Sequence, residues 1–203
     1  SPIASHRTRT PLSTYGLPVA AGLILVVGGI LFWQQRTPAR PLTDQDVLVL
    51  ADFVNTTGDP VFDEALRQAV AVQLQQTPFL TLLPDQRIQR TLRLMQRPGE
   101  VAVTGDTARE ICQRAGAKAT VEGSIAAIGS NFVITLGVYN CQTGESIAKQ
   151  QVQASSKEDI LTQLGVAVKA LRQNLGESLA SIEKYDVPVT EATTSSLDAL
   201  RAY

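Results

Sequence analysis

The chain has 203 residues, and its 18 Lys+Arg nearly balance 19 Asp+Glu. The balance is uneven: every acidic residue lies after position 41, so with Arg7, Arg9, Arg36 and Arg40 set aside, residues 42–203 hold 14 basic against 19 acidic residues, a net of −5. That sign argues against nucleic acid as a partner, which wants a basic face, and the sole His, His6 near the N-terminus, leaves the folded part without the commonest general base.

Residues 1–15 are rich in Ser, Thr, Pro and Arg and read as a disordered juxtamembrane tail. Gly16–Trp33, GLPVAAGLILVVGGILFW, carries no charge, and the uncharged window extends from Thr10 to Gln35. A helix needs about 20 mainly apolar residues to cross a bilayer, and it satisfies its own backbone there. Residues 16–33 are therefore expected to form a transmembrane helix, with Tyr15 and Trp33 as interfacial aromatics and the lipid bilayer as a partner. A secretory leader would show a clear small-residue cleavage site, and a core helix would not be bracketed by Arg7, Arg9, Arg36 and Arg40. Two Arg on each side leave the orientation undecided by charge. The span has no strict GxxxG: Val26 follows Gly22 by four and Phe32 follows Gly28. Gly16 and Ala20 form only a weak small-residue pair, so a homodimer is allowed by the segment but not favoured. Residues 34–46 form a short linker with Pro38 and Pro41.

Val47–Phe53, VLVLADF, reads as a buried strand. After a turn cluster, Asp59-Pro60 starts a helix, with Asp as cap and Pro at the first helical position. Phe62, Leu66, Ala69, Val70 and Leu74 form its apolar face, and Thr77-Pro78 ends it. Phe79–Leu83 is expected as a second strand, and Asp85 as the cap of a helix running to about Met95. A third helix is expected from about Gly105 to Ala115, capped by Thr104 and closed by Gly116. Lys118–Ile128, Phe132–Tyr139 and Ser146–Ala154 read as three strands of a meander, turning at 129–131 and 140–144. Ser156–Asp159 resembles a capping box before a helix with Ile160, Leu164, Ala167, Val168, Leu171 and Leu175 at helical spacing, which Gly176 breaks before 178–184.

This order predicts an α/β (α+β) fold: a single transmembrane helix, then a mixed β-sheet domain at 47–184 with helices packed mainly on one face. A parallel crossover comes first and an antiparallel meander later. Residues 185–203 read as a linker and a new amphipathic start. The opening on Ser1 and the close on that start lead us to expect a segment of a longer protein.

No catalytic signature is present: no phosphate-binding glycine loop, G-x-S-x-G, H-E-x-x-H or kinase catalytic loop. We therefore expect no catalytic residue, no cofactor-binding residue and no metal ligand set in this chain. The most polar cluster, Asn55–Asp63, offers oxygens to a hard cation, but a capping loop explains the same residues better. Cys112 and Cys141 are the two cysteines. If the hairpin turns at Ser130, position 141 lies opposite about residue 119, and Cys112 lies near the end of the helix feeding that strand. The pair could form a disulfide in an oxidising compartment or remain two buried thiols.

Three stretches, VLVLADFVNTTGDPVFDEALRQAVAVQLQQTPFLTLLPDQR at 47–87, AREICQRAGAKATVEGSIAAIGSNFVITLGVYNCQTGE at 108–145 and LRQNLGESLASIEKYDVPVTEATTSSLDALRAY at 171–203, resemble bacterial, acidobacterial-type membrane proteins. These are the eukaryotic-like serine/threonine protein kinases with tetratricopeptide repeats. The α/β domain is similar in layout to the N-terminal domain of the periplasmic protein TolB. The resemblance implies a cytoplasmic N-terminus, an extracytoplasmic 47–184 and a location in the inner (plasma) membrane. It favours the Cys112–Cys141 disulfide, and it makes 194–203 the lead into the first repeat. ATP and Mg belong only to the kinase domain, whose motifs this sequence lacks, so no catalytic residue carries over. The expectation is a non-enzymatic sensor or scaffold segment that binds protein partners outside the cytoplasm. The alternatives are the same segment in a membrane-bound one-component transcription regulator, or an envelope assembly component.

Overall fold

The computed structural model describes residues 42–43, 46–97, 101–192, 196, 197 and 199. The expected tail at 1–15, the span at 16–33 with Tyr15 and Trp33, most of the linker at 34–46 and most of 193–203 lie outside these residues. Among the described residues no helix is long and apolar enough to cross a membrane.

The sheet is built around β1, Val47–Leu50. Its residues are apolar on both sides, and Leu48 and Val49 are fully buried, as a strand covered on both faces must be. β1 runs parallel to β3 (Thr81–Leu82), with Val47 beside Thr81, and to the start of β4 (Ala119–Ile128), with Leu48 beside Ala119. β4 continues antiparallel into β5 (Asn131–Asn140) through the tight turn at Gly129–Ser130, and β5 into β6 (Ser146–Ala154). The order is β3-β1-β4-β5-β6. The two-residue β2, Val54–Asn55, lies parallel to β4 further along, Val54 beside Ser124. β1 and β2 are thus one line along β4, interrupted at residues 51–53.

Helix α1, Val61–Gln75, buries the predicted face completely: Phe62, Leu66, Ala69, Val70 and Leu74 have no exposure. The Asp59 carboxylate accepts the Val61 N–H at 3.1 Å, satisfying a backbone donor that the helix start leaves open. With α4 (Ile160–Asn174), α1 covers one face of the sheet, against Val121, Ile125, Ile134, Leu136 and Val138. Each such side chain contributes about 1.5–3 kcal/mol of burial.

Helices α2 (Asp85–Leu94) and α3 (Gly105–Ala115) lie on the opposite face, where Ile88, Leu92, Ala108 and Ile111 pack with Val49 and Ala51. The expected packing mainly on one face is therefore met only over the meander. Around β1 both faces are covered, because Val47 and Val49 alternate with Leu48 and Leu50 and each pair needs a partner layer.

Three local readings change. Asp85 is the first residue of α2 rather than its cap, because Pro84 already holds extended backbone and its carbonyl accepts the Arg87 and Ile88 N–H groups. Phe79 sits in the turn before β3, where the Thr77 hydroxyl accepts its N–H at 3.1 Å. Ser156 and Asp159 do not form a capping box. The Asp159 carboxylate instead accepts from the Ser155 N–H at 3.1 Å and from Gln163 Nε2 at 3.2 Å, and these bonds hold it below its ordinary pKa. Gly116 does close α3 in the left-handed conformation.

α5 (Leu179–Tyr185) starts at Ser178, whose hydroxyl accepts the Ser181 N–H, and a short α6 covers Val189–Ala192. The α4–α5 corner holds a buried ion pair. Arg172 Nε and Nη2 donate to Glu177 at 2.7 and 2.8 Å, and both side chains are 1% exposed. Glu177 also accepts from the Thr77 and Ser181 hydroxyls at 2.6 and 2.7 Å. Burial pushes the Glu177 carboxyl up, but the bonds from Arg172, Thr77 and Ser181 outweigh it and hold the group below its usual range.

Candidate functional site

The meander has one sealed face and one open face. Alternation places Thr120, Glu122 and Ser124 of β4, Thr135, Gly137 and Tyr139 of β5, and Lys149 and Gln151 of β6 opposite the core. Cross-strand pairs on this side join Thr120 to Tyr139, Glu122 to Gly137 and Gly137 to Lys149. Among the described residues α3 covers only the Thr120 end of this area, where Thr120 is 1% exposed. The N-terminal turn of α3 stands along it as a wall, and two adjoining hollows of about 180 and 200 Å³ run along its foot. Both are lined by Gly105, Glu122 and Tyr139.

The shelf is shaped by its own residues. The Thr120 hydroxyl donates to Glu122 Oε1 at 3.0 Å, which orients that carboxylate. The Tyr139 ring lies over Gly137: a Cβ there would stand 2.6 Å from the ring, closer than side chains tolerate, so only glycine lets the ring lie flat on the sheet. Gly123 repeats the arrangement on the core side, where the Phe53 ring occupies the place of a Cβ, at 2.3 Å. Phe53 lies in the break between β1 and β2, so this contact fits the interrupted strand onto β4.

The upper rim is electrostatic. Asp52 follows β1; its Oδ2 accepts the Val103 N–H at 2.7 Å and its Oδ1 lies 3.3 Å from Arg67 Nε. Arg67 also meets Asp85 at 2.5 Å and Glu64 at 3.4 Å. Burial works against the Arg67 cation, but Asp85, Glu64 and Asp52 more than compensate and raise its pKa. These residues cluster where β1 ends between β3 and β4. The crossover to β3 leaves on one face there and the return to β4 on the other, the position at which open α/β sheets form crevices.

The wall is fixed by Cys112 and Cys141. The structure joins them as a disulfide with Cα atoms 6.0 Å apart, both side chains fully buried. Arg109 Nε and Gln113 Nε2 donate to the Cys141 carbonyl at 2.9 and 2.6 Å, and Arg109 Nη2 to the Gln142 carbonyl at 2.8 Å. Four attachments thus hold α3 to the β5–β6 turn, with Ala119 opposite Asn140 in the strand register.

The Asn55–Asp63 loop is tied into the fold. Asn55 Nδ2 donates to the Asp59 carbonyl and to Asp63 Oδ1 at 2.8 and 2.7 Å, and its Oδ1 accepts from the Thr57 N–H and hydroxyl. Asp59 pairs with Lys157. These oxygens do capping work, and among the described residues no group of three or more His, Cys, Asp or Glu is gathered as a metal site. Sequence reasoning passed over Glu122, Gly137, Tyr139 and Lys149. The available signal was a lone glycine inside each of two strand patterns, TVEGSIAA and TLGVYN.

No family model and no curated protein matches the chain. Solved structures do share its fold. The LpoB C-terminal domain from Salmonella enterica matches with a TM-score of 0.53 and 15% identity, over 68% of this chain and 94% of that one. The LpoB C-terminal domain from Escherichia coli matches with 0.53 and 15%, over 63% and 94%. TolB from Acinetobacter baumannii matches more distantly, with 0.44 and 15%, over 68% of this chain and 30% of that one. The described domain is thus similar in fold to the LpoB C-terminal domain.

Proposed function

We propose that this domain is a non-catalytic protein-binding component of the bacterial cell envelope, a scaffold or assembly part held at a membrane by the apolar segment at 16–33. The observation that carries the reading is the open face of β4–β6. It is a polar, shallow shelf beside a wall fixed by a disulfide, with hydroxyl, carboxylate and ammonium groups spread over three strands rather than converging on one reacting atom. Such a surface suits hydrogen bonding to a partner protein. The likeness in fold to the LpoB C-terminal domain supports the envelope assignment, and so does a disulfide, which persists in oxidising compartments.

A photo-crosslinking residue at Gln151 or Thr135 in the full chain, expressed in bacterial membranes, tests the reading. The expected outcome is a protein adduct at these positions and none at Arg90 on α2. In intact cells the two cysteines should be oxidised and the domain open to external protease. Equal adducts at all three positions, or reduced cysteines in a protease-protected domain, would overturn it.

A finer version makes the segment the extracytoplasmic part of a receptor-like serine/threonine kinase with tetratricopeptide repeats. The resemblance of 47–87, 108–145 and 171–203 supports it. Reading the gene upstream of Ser1 tests it: a kinase catalytic loop there would establish this version, and a DNA-binding domain would replace it with a transcription regulator.

A further inference from the structure

The two edges of the sheet are built differently. β3 is two residues long and stands between Pro78 and Pro84, features that keep an edge from pairing with another chain. β6, at the other edge, spans nine residues without proline and pairs with β5 without interruption from Ala148 to Ala154. Among the described residues no strand pairs with its outer side.

The register tells which backbone groups face outward. The two-residue turn at Gly129–Ser130 makes Ile128 and Asn131 a hydrogen-bonded pair. Alternation then gives Val133 and Thr135 to β4 and leaves Phe132, Ile134 and Leu136 to bond with β6. Their partners Ala154, Val152 and Gln150 turn their backbone inward, so the N–H and C=O groups of Lys149, Gln151 and Gln153 point out of the edge. The side chains are equally unengaged: among the described residues those of Lys149, Gln150, Gln151 and Gln153 make no hydrogen bond or ion pair.

We propose that β6 pairs antiparallel with β6 of a second copy of this chain, joining two sheets into one. The strand is complementary to itself. A twofold axis through Gln150, the middle residue of Ser146–Ala154, overlaps the whole strand and sets the outward-facing Lys149 against the outward-facing Gln151 of the second copy. Each ammonium then meets an amide oxygen, whereas an axis through Lys149 would oppose two like charges. Gln150 meets Gln150 of the second copy, and an amide holding both donor and acceptor is its own complement. Ala148 meets Val152 of the second copy, apolar against apolar, on the side where both pack with the core. This edge is distinct from the side-chain shelf across β4–β6, and either reading can fail alone.

The test mixes donor- and acceptor-labelled populations of the full chain in detergent micelles and reads energy transfer against concentration. The expected result is a saturable dimer whose affinity follows the charge at position 151. Gln151→Glu sets two carboxylates against two lysines and should tighten it about fivefold, and Gln151→Lys should weaken it about tenfold. Adding Lys149→Glu to Gln151→Lys should restore the parent affinity. Residue 151 is exposed, so the thermal midpoints of dilute samples should match the parent. Under mild oxidation Gln150→Cys should give a reducible dimer far faster than Leu94→Cys, which is 74% exposed on α2. A chain that stays monomeric up to about 1 mM would overturn the proposal. So would a dimer indifferent to the charge at 151, which would be held by another surface such as the segment at 16–33, or equal crosslinking at positions 150 and 94.

Discussion

Gly123 and Gly137 are near neighbours on adjacent strands, and both hold an aromatic ring where a side chain would begin. They point to opposite faces. At Gly123 the ring is Phe53, 6% exposed and enclosed by the core under α1 and α4. At Gly137 the ring is Tyr139, half-buried on the open shelf. One device therefore does two jobs: on the sealed face it locks the break between β1 and β2 onto β4, and on the open face it smooths a surface. The faces differ in whether a displaced ring has anywhere to go.

That difference sets the order of expected effects. The largest belongs to the sealed side: Glu177→Ala removes both short contacts of the buried Arg172, leaving it only Asp186 at 3.8 Å, and should cost about 3–5 kcal/mol in urea denaturation. Next comes the disulfide, whose ends lie 29 residues apart. Replacing both cysteines with serine should cost about 3–4 kcal/mol, and it should broaden amide signals along α3 while leaving those of α4 unchanged. Gly123→Ala should cost about 1–3 kcal/mol, as overpacked cores do, because Phe53 cannot leave. The contrasting Gly137→Ala should cost less than about 1 kcal/mol, since Tyr139 can swing into solvent. Equal costs at the two glycines would break the comparison.

Acid sharpens the same contrast. The Glu177 carboxyl is held below its ordinary pKa, so its contribution is complete above the unfolded value of about 4.3. It is lost as pH falls through the folded value. The thermal midpoint should be level near neutrality and decline below about pH 5, with a shallower decline in Glu177→Gln. An unchanged slope would remove Glu177 from the account.

Much of this architecture was legible from the sequence. The apolar run at 47–53, of which 47–50 forms β1, with helical spacing after it leads to the parallel β1–α1–β3 unit, and the turn residues at 129–131 place the β4–β5 hairpin. These signals are local. The return of Val54–Asn55 onto β4 was not visible, because a two-residue strand has no periodicity and depends on Gly123 being empty. The position of α2 and α3 on the far face was not visible either, since an amphipathic helix records that it is covered but not by which side of a sheet. The candidate site was the least legible part. Thr120, Glu122, Thr135 and Lys149 are ordinary polar residues singly, and only the register across three strands collects them.

The central place of β1 has a consequence for the order in which the chain can fold as it is made. β1 is synthesised first, yet one of its two neighbours, β4, begins pairing at Ala119, about 70 residues later, or roughly 4–14 s at ordinary rates of synthesis. In that interval Val47–Leu50 is an apolar strand with an unfilled edge. The β4–β5–β6 meander, joined by short turns, closes without long-range loops and is the natural nucleus. The strand at the start of the described domain is therefore the last to be locked in, and synthesis that stalled before residue 119 would leave a sticky strand edge.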